Sequence, residues 1–209
     1  MTIIDISRTL SAEIAVWPGD TPFQMRTTMR QAEGASVNLT TLTLSAHTGS
    51  HADAPYHYTD DGTTLEGVAL EPFWGAAQVV TVQKEGGPLT PDDFTGYDLS
   101  RAPRLLVHSA ASELNPTRFP EQYVYPSPEL AAFLGERGVI LYGTDAPSMD
   151  AVDSQRLPGH NALDQQGIAI LEGLDLSRAA DGVYELVSLP LKIADGDGSP
   201  VRAALRSIE

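Results

Sequence analysis

The sequence contains no cysteine, which excludes disulfide bonds and thiolate metal ligands. Any transition-metal site must therefore be built from His, Asp, Glu and water. Positively charged residues are also few, since 13 Lys and Arg stand against 28 Asp and Glu, for a formal net charge of −15. This charge, with no cluster of Lys and Arg to offset it, repels phosphate backbones and anionic lipid surfaces. We therefore expect neither nucleic acid nor a membrane as a partner.

Long hydrophobic runs are absent as well. No stretch approaches the ~18 apolar residues that span a bilayer, and the N-terminal MTIIDISRTL lacks the positive charge and apolar run of a signal peptide. The apolar fraction of 42% is ordinary for a chain with a buried core. A length of 209 residues favours a single domain over residues 1–209. Together these features predict a cytoplasmic protein that acts on a small molecule.

The predicted secondary structure is rich in strands. Alternating or β-branched patterns predict strands in MTIIDIS, VNLTTLTLSAH, AAQVVTVQ, RLLVHSA, VILYGTD, GIAILEG and YELVSLPLKI. Helical spacing in SPELAAFLGERG predicts a helix with Ser127 as its cap and Gly138 as its stop, and shorter helices are expected before Val79 and from TPDDF. AVWPGDTPF is typical of an ordered loop, and Trp74 is expected in the core. Without a glycine-rich phosphate loop, the pattern indicates an α/β or α+β domain with a mixed sheet and no nucleotide site.

Histidine is scarce but concentrated, because three of the five histidines fall in HTGSHADAPYHY, residues 47–58. His47, His51, Asp53 and His57 are separated by even numbers, so an extended chain places them on one side. Four strand residues span about 13 Å, whereas two ligands of one zinc ion must approach within ~3.5 Å. We therefore predict that a strand delivers His47 at its end and bends at Gly49, where unusual dihedral angles cost least. The bend would bring the first two histidines and Asp53 onto one metal ion.

The remaining ligands must come from distant parts of the chain. Asp53 has two oxygens and can bridge a second metal ion ~3.5–4 Å from the first. The candidates are His160, in the glycine-flanked turn LPGHN, and Glu172, which ends the apolar run GIAIL. A carboxylate at the end of a buried strand is costly unless it is paired or metal-bound. His108 is interpreted as a core or rim histidine, and DGDGSP as a turn, since it lacks the full pattern of a calcium loop.

Residues 47–57 resemble the HxGTHxDxPxH signature of the metal-dependent cyclase and amidohydrolase family, with Ser50 where threonine is usual. Other segments resemble that family in the same order: DISRTL, WPGDTP, GTDAPSMD, HNALDQQGIAILEGLDL and LPLKIADGDGSPVRAAL. The resemblance covers nearly the whole chain. The short length, WPGDTP and DGSPVRA are most similar to the kynurenine formamidase branch of the family.

The resemblance implies a strand-rich α/β domain of the swivelling β/β/α kind, assembled as a homodimer or higher homo-oligomer. It implies two zinc ions per subunit, with manganese as the other candidate metal. The implied ligands are His47, His51 and Asp53 for one ion, and Asp53, His160 and Glu172 for the other. The resemblance also implies that His57 is the catalytic acid and base and that Trp17 contacts the substrate.

The reaction implied by the resemblance is hydrolysis of N-formyl-L-kynurenine to L-kynurenine and formate. Tyr58 stands where phenylalanine is common, which adds a hydroxyl near the site and leaves the substrate shape open. One alternative is a related hydrolase of another cyclic or aryl amide such as isatin, which would use the same ligands. A second alternative is a protein that binds metal without catalysis. Structural zinc sites tend to be closed and rich in thiolates, whereas these ligands leave positions for water and a spare histidine beside them.

Overall fold

A nine-stranded mixed sheet organises the computed structural model, which describes residues 2–208. The strands are β1 (Ile3–Asp5), β2 (Gln24–Met29), β3 (Leu39–Thr43), β4 (His51–Asp53), β5 (Trp74–Thr81), β6 (Gly87–Leu89), β7 (Arg104–His108), β8 (Val124–Pro126), β9 (Leu141–Thr144), β10 (Ala169–Glu172), β11 (Gly182–Val187), β12 (Gly198–Pro200) and β13 (Ala204–Ser207). The α-helices are α1 (Pro128–Gly135) and α2 (Pro158–Gln165). Short 3-10 helices occupy Gln31–Glu33, Pro55–His57, Leu65–Gly67, Glu71–Phe73, Pro91–Phe94 and Ala110–Glu113. The predicted strand-rich α/β class is confirmed.

The main sheet has the order β1-β13-β11-β5-β7-β9-β10-β4-β12. Its central strands β5, β7, β9 and β10 are parallel, and the strands on either side pair antiparallel. Strands β7 and β9 are buried almost throughout, as expected of parallel strands covered on both faces. Strand β4 lies between β10 and β12, so the histidine-rich segment is held between two C-terminal strands.

Successive side chains of the central strands divide the core into two clusters, as the two-residue period of a strand requires. Val80 and Val107 pack in one cluster together with residues of α1 and α2. Val79 and Leu106 pack in the other cluster, together with Ile6 from the segment after β1. The two α-helices therefore cover one face of the sheet.

The helical predictions are partly confirmed. Ser127 caps α1, since its hydroxyl oxygen accepts a hydrogen bond from Leu130 N at 3.2 Å. The helix ends at Gly135, and Gly138 takes a positive φ of 73° in the turn that follows. The other two expected helices are single 3-10 turns, at Glu71–Phe73 and Pro91–Phe94. None of the helices in residues 2–208 has the length and hydrophobicity needed to cross a membrane.

The predicted strand before the histidine-rich segment is shorter than expected. Strand β3 ends at Thr43 and pairs only with β2, in a two-stranded sheet of its own, so it does not deliver His47. Its side chains are exposed, including 52% of Leu42. The alternating pattern predicted the strand correctly, but alternation does not reveal whether either face is covered.

Three local predictions differ from the structure. LPGHN was expected to be a turn, but α2 begins within it, at Pro158. Proline is tolerated at this first position because its missing N–H would have no partner within the helix. Trp74 begins β5 with 55% of its surface exposed, so it is not a core residue. Strand β11 ends at Val187, before the second half of YELVSLPLKI. The number of domains stays a prediction.

We expect Gly173→Ala to destabilise the protein more than Gly167→Ala. Both glycines have positive φ, at 64° and 67°, so alanine carries a similar backbone penalty of about 1–2 kcal/mol at each. An added Cβ at Gly173 would also overlap the carbonyl oxygen of Gly49, whereas at Gly167 it meets open space. The free energy of unfolding in urea should therefore fall by about 2 kcal/mol more for Gly173→Ala. Equal losses would contradict this close packing.

Candidate metal centre and pocket

Strand pairing places three of the predicted ligands on one face of the sheet. His51 and Asp53 are two residues apart on β4, so their side chains point the same way. Glu172 on β10 lies directly opposite His51 in the antiparallel register. His51 Nε2 is 3.2 Å from Glu172 Oε2 and 3.5 Å from Asp53 Oδ1, and all three side chains are buried. The register alone therefore creates a cluster of one imidazole and two carboxylates.

The bend predicted at Gly49 is present and brings His47 to the same cluster. Residues 45–48 form a turn in which Thr48 N donates to Ser45 O at 3.2 Å, and Gly49 has a φ of 69°. The chain then enters β4. As a result His47 Nδ1 lies 3.0 Å from Asp53 Oδ1, although His47 is in a turn and not on a strand.

Ser50 holds this bend in place. Its hydroxyl donates to Gly173 O at 2.7 Å and accepts from Arg8 N at 2.9 Å. One side chain thus joins the N-terminal segment to the end of β10. The hydroxyl is the group that makes both bonds, which explains why serine can replace the usual threonine of the signature.

His160 reaches the cluster from the first turn of α2. Asp150 accepts hydrogen bonds from the backbone N–H groups of Gly159, at 2.7 Å, and His160, at 3.1 Å. A carboxylate at a helix N-terminus is favourable because the unpaired N–H groups carry partial positive charge. His160 Nε2 is then 3.3 Å from Glu172 Oε1 and 3.6 Å from Asp53 Oδ2. All five predicted ligands therefore converge on one buried spot.

His47, His51 and His160 each have one ring nitrogen directed toward the two carboxylates of the cluster. The other ring nitrogen contacts a hydrogen-bond acceptor outside the cluster. The acceptors are Gly49 O for His51 Nδ1 (2.9 Å), Asp197 Oδ2 for His47 Nε2 (3.1 Å) and Asp150 Oδ2 for His160 Nδ1 (2.7 Å). Outer acceptors of this kind orient imidazoles and select the tautomer in metal sites. The inner nitrogens are left facing the two carboxylates.

The carboxylates stay ionised in spite of their burial. Burial acts to raise the pKa of Asp53, but the adjacent rings of His160 and His47 outweigh it and hold the pKa well below its usual value. Burial and the charge of Asp53 likewise act to raise the pKa of Glu172, and hydrogen bonds from His160 and His51 outweigh them, so the net shift is downward. Two buried negative charges therefore lie side by side.

The field of these carboxylates attracts positive charge. Burial alone would lower the pKa of His47, yet Asp53 and Asp197 raise it to about 9. The pKa of His160 is also raised well above its usual value, because Asp150, Asp53 and Glu172 outweigh burial. A divalent cation would respond to the same potential.

One oxygen of the cluster lacks a partner. Among residues 2–208, no group donates a hydrogen bond to Asp53 Oδ2, although it is fully buried. An unsatisfied buried oxygen of this kind is costly, and a cation would satisfy it. The nitrogen and oxygen donors suit zinc or manganese. Two sets of donor atoms lie within 4.8 Å of one another: His51, Asp53 and Glu172, and His47, Asp53 and His57.

His57 lies beside the cluster on the 3-10 turn Pro55–His57 and is more open than the other histidines, with 32% of its side chain exposed. Its ring stacks 4.0 Å from that of His47, and its Nδ1 is 3.5 Å from Asp197 Oδ2. Burial lowers the pKa of His57, so the ring is neutral near pH 7. A neutral imidazole can accept a proton.

Two carboxylates that contact the histidines of the cluster were not predicted from the sequence. Asp197 lies in DGDGSP, which was interpreted only as a turn, yet it contacts both His47 and His57. Asp150 lies in GTDAPSMD and holds His160. Neither carboxylate has a spacing relative to its histidine that a local pattern could detect. Their only signal was that both lie in segments that resemble the family.

The cluster forms the inner end of a cavity of about 400 Å³, a size typical of ligand pockets. Trp17 lines the cavity, as do His47, His57, His160 and Glu172. The Trp17 ring meets the Phe119 ring edge-on, with centroids 5.2 Å apart, and Ala15 N donates to Pro116 O at 2.8 Å. These contacts join the loops 14–20 and 114–120 into an aromatic wall.

Comparison with known proteins identifies the family. The Cyclase family model matches residues 4–151. The chain is 44% identical to a kynurenine formamidase of Geobacillus thermodenitrificans, over 98% of this chain and 97% of that protein. It is also 44% identical to one of Salinibacter ruber, over 99% and 98%. The chain belongs to the cyclase family.

A solved cyclase-family relative has the same fold. Isatin hydrolase A from Labrenzia aggregata superposes with a TM-score of 0.84 at 26% identity, and the match covers all of this chain and 94% of that one. The fold implied by the sequence resemblance is thus confirmed. The ligand set and the roles of His57 and Trp17 stay predictions, although all of these residues lie at the cluster or the cavity.

We expect Zn²⁺ or Mn²⁺ to stabilise chelator-treated protein against thermal unfolding. A cation at 100 times its dissociation constant would add about 2.7 kcal/mol. Asp53→Asn should abolish this stabilisation, because it removes the charge at the centre of the cluster. The matched control Asp61→Asn, in an exposed turn, should keep it. Differential scanning calorimetry measures the rise in unfolding temperature on addition of the metal ion. An equal rise in both variants would contradict a metal site at Asp53.

Proposed function

We propose that this chain is a metal-dependent arylformamidase that hydrolyses N-formyl-L-kynurenine to L-kynurenine and formate. The observation that carries the proposal is the convergence of the His and carboxylate cluster on the inner end of a pocket with an aromatic wall. The names of relatives at 44% identity over nearly their full length support it. A purely structural metal site is disfavoured, because the cluster borders a cavity of about 400 Å³.

The proposed cofactor is zinc, with two ions per subunit, and manganese is the other candidate. His47, His51 and Asp53 would hold one ion, and Asp53, His160 and Glu172 the other. The unpartnered Asp53 oxygen and the all-nitrogen-and-oxygen donor set fit such ions. When bound, these ions polarise a carbonyl group and allow water to ionise near neutral pH.

His57 is the proposed acid and base. Hydrolysis of an aryl formamide must move a proton from the attacking water to the aniline nitrogen, because an anilide is a poor leaving group. The His57 ring is neutral near pH 7 and lines the cavity, so it can accept that proton and then donate it. Asp197, 3.5 Å from His57 Nδ1, would orient the ring.

Trp17 is the proposed substrate-binding residue. Its loop is bonded to the neighbouring loop through Ala15 N and Pro116 O, and its ring is supported edge-on by Phe119. A flat ring held in this way can lie against the aryl group of the substrate. Residues 14–20 and 114–120 would also exclude water from that face of the pocket.

A homodimer or higher homo-oligomer in the cytoplasm is proposed on the resemblance to the family. The ribbon of β2 and β3 supports an assembly, since the cross-strand neighbours Met25 and Leu42 expose 62% and 52% of their surfaces there. Contiguous apolar surface of this kind is typical of interfaces. Light scattering should give at least twice the chain mass of 22.3 kDa.

The test of the function is turnover of N-formyl-L-kynurenine beside isatin by metal-loaded protein. We expect kcat/KM to be higher for N-formyl-L-kynurenine by about 100-fold or more. Formate release and kynurenine absorbance measure the first reaction. A preference for isatin would instead favour the alternative of a cyclic amide hydrolase, which the structural likeness to isatin hydrolase A raises.

We expect His57→Ala to keep the metal and lose turnover, whereas Asp53→Ala loses both. General acid–base catalysis contributes about 10²- to 10⁴-fold, so kcat should fall by that factor in His57→Ala. Metal content by mass spectrometry should match that of the wild type. If His57→Ala turned over at near the normal rate, the proton-transfer role would be wrong.

A further inference from the structure

The pocket wall carries four charged side chains besides the metal cluster: Arg8, Asp20, Arg118 and Asp145. Two of them, Asp145 and Arg8, form hydrogen bonds with other residues of the chain. Asp145 accepts hydrogen bonds from the backbone N–H and the hydroxyl of both Ser109 and Ser112, at 2.6–3.0 Å. The half-buried Arg8 donates from Nη2 to Ala111 O at 3.0 Å and to Asp145 O at 3.3 Å. These two groups stabilise the wall.

The other two are free to meet a ligand. Within residues 2–208 the Arg118 side chain makes no hydrogen bond, ion pair or ring contact, and it is exposed. Asp20 is half-buried and accepts one hydrogen bond, from Thr21 N to Oδ1 at 2.6 Å. Within residues 2–208, no cationic side chain forms an ion pair with Asp20. The pocket therefore offers one free cation and one free anion.

Both charges lie on the two loops of the aromatic wall. Arg118 directly precedes Phe119, whose ring contacts Trp17. Asp20 N donates to Trp17 O at 2.9 Å, which holds Asp20 beside the same tryptophan. The guanidinium and the carboxylate thus belong to the two loops that the contact of Trp17 with Phe119 joins, and both side chains line the pocket. The metal cluster lies on different elements, β4, β10 and α2.

We propose that Arg118 and Asp20 recognise the amino-acid arm of the substrate, with Arg118 on the α-carboxylate and Asp20 on the α-ammonium group. The inference rests on the proposed function. With the formamide at the metal cluster and the aryl ring along Trp17, the ortho arm carries both charges toward the loops. A guanidinium can bind a carboxylate through two parallel hydrogen bonds. In a chain with a net charge of −15, an unpaired guanidinium in the pocket favours the binding of a carboxylate substrate.

Three aryl formamides separate the two contacts. N-formyl-L-kynurenine carries both charges, 4-(2-formamidophenyl)-4-oxobutanoate carries only the carboxylate, and 2-formamidoacetophenone carries neither. For Arg118→Gln we expect kcat/KM to fall about tenfold on the first two, mainly through KM, and to stay within about twofold on the third. For Asp20→Asn the fall should be confined to N-formyl-L-kynurenine. The matched controls are Arg101→Gln and Asp61→Asn, which are exposed and lie outside the pocket.

The outcomes distinguish the inference from the function it rests on. An equal fall on all three substrates would mean that Arg118 and Asp20 only hold the loops, and no fall on any would mean that they bind nothing. Either result overturns the inference, as does wild-type protein that prefers 2-formamidoacetophenone. Metal-loaded wild type that hydrolyses none of the three would instead overturn the proposed function, and the inference with it.

Discussion

The structure depends on two buried carboxylates that lie on neighbouring strands. Asp53 on β4 and Glu172 on β10 are both nearly fully buried, and the charge of Asp53 acts to raise the pKa of Glu172. Such a pair is costly in a protein interior unless positive charge or hydrogen-bond donors surround it. The histidines at positions 47, 51 and 160 supply these donors, and Asp53 Oδ2 still lacks a partner within residues 2–208. A bound cation would remove the remaining cost.

The sheet around this pair of carboxylates fixes the positions of the surrounding side chains. The parallel strands β5, β7, β9 and β10 form a core covered on both faces, and β4 is paired on both sides, by β10 and β12. The proposed ligands on β4 and β10 therefore sit on elements with little freedom. The outer acceptors Asp150 and Asp197 extend this order to the imidazoles, since each one fixes a ring that the sheet itself does not hold.

Function and specificity then fall to different parts of the chain. The strands and α2 carry most of the proposed ligands, and the loops 14–20 and 114–120 form the aromatic wall of the cavity. Loops on a rigid scaffold can change the substrate without changing the reaction. This division fits a family in which relatives named for formamides and for isatin share one fold.

The residue types of the candidate site could be predicted from the sequence alone: histidines concentrated around Gly49, no thiols, and a carboxylate at the end of a buried strand. The sequence also determined most strands and the cap of α1, because these depend on patterns within a few residues. Three features could not be predicted in this way: Glu172 lies opposite His51, His160 lies on a helix whose first N–H groups donate to Asp150, and Asp197 contacts two histidines. Strand register and contacts between distant segments arise from packing of the whole chain, and no local spacing encodes them. The same holds for Arg118 and Asp20, which line one pocket because the contact of Trp17 with Phe119 joins their loops.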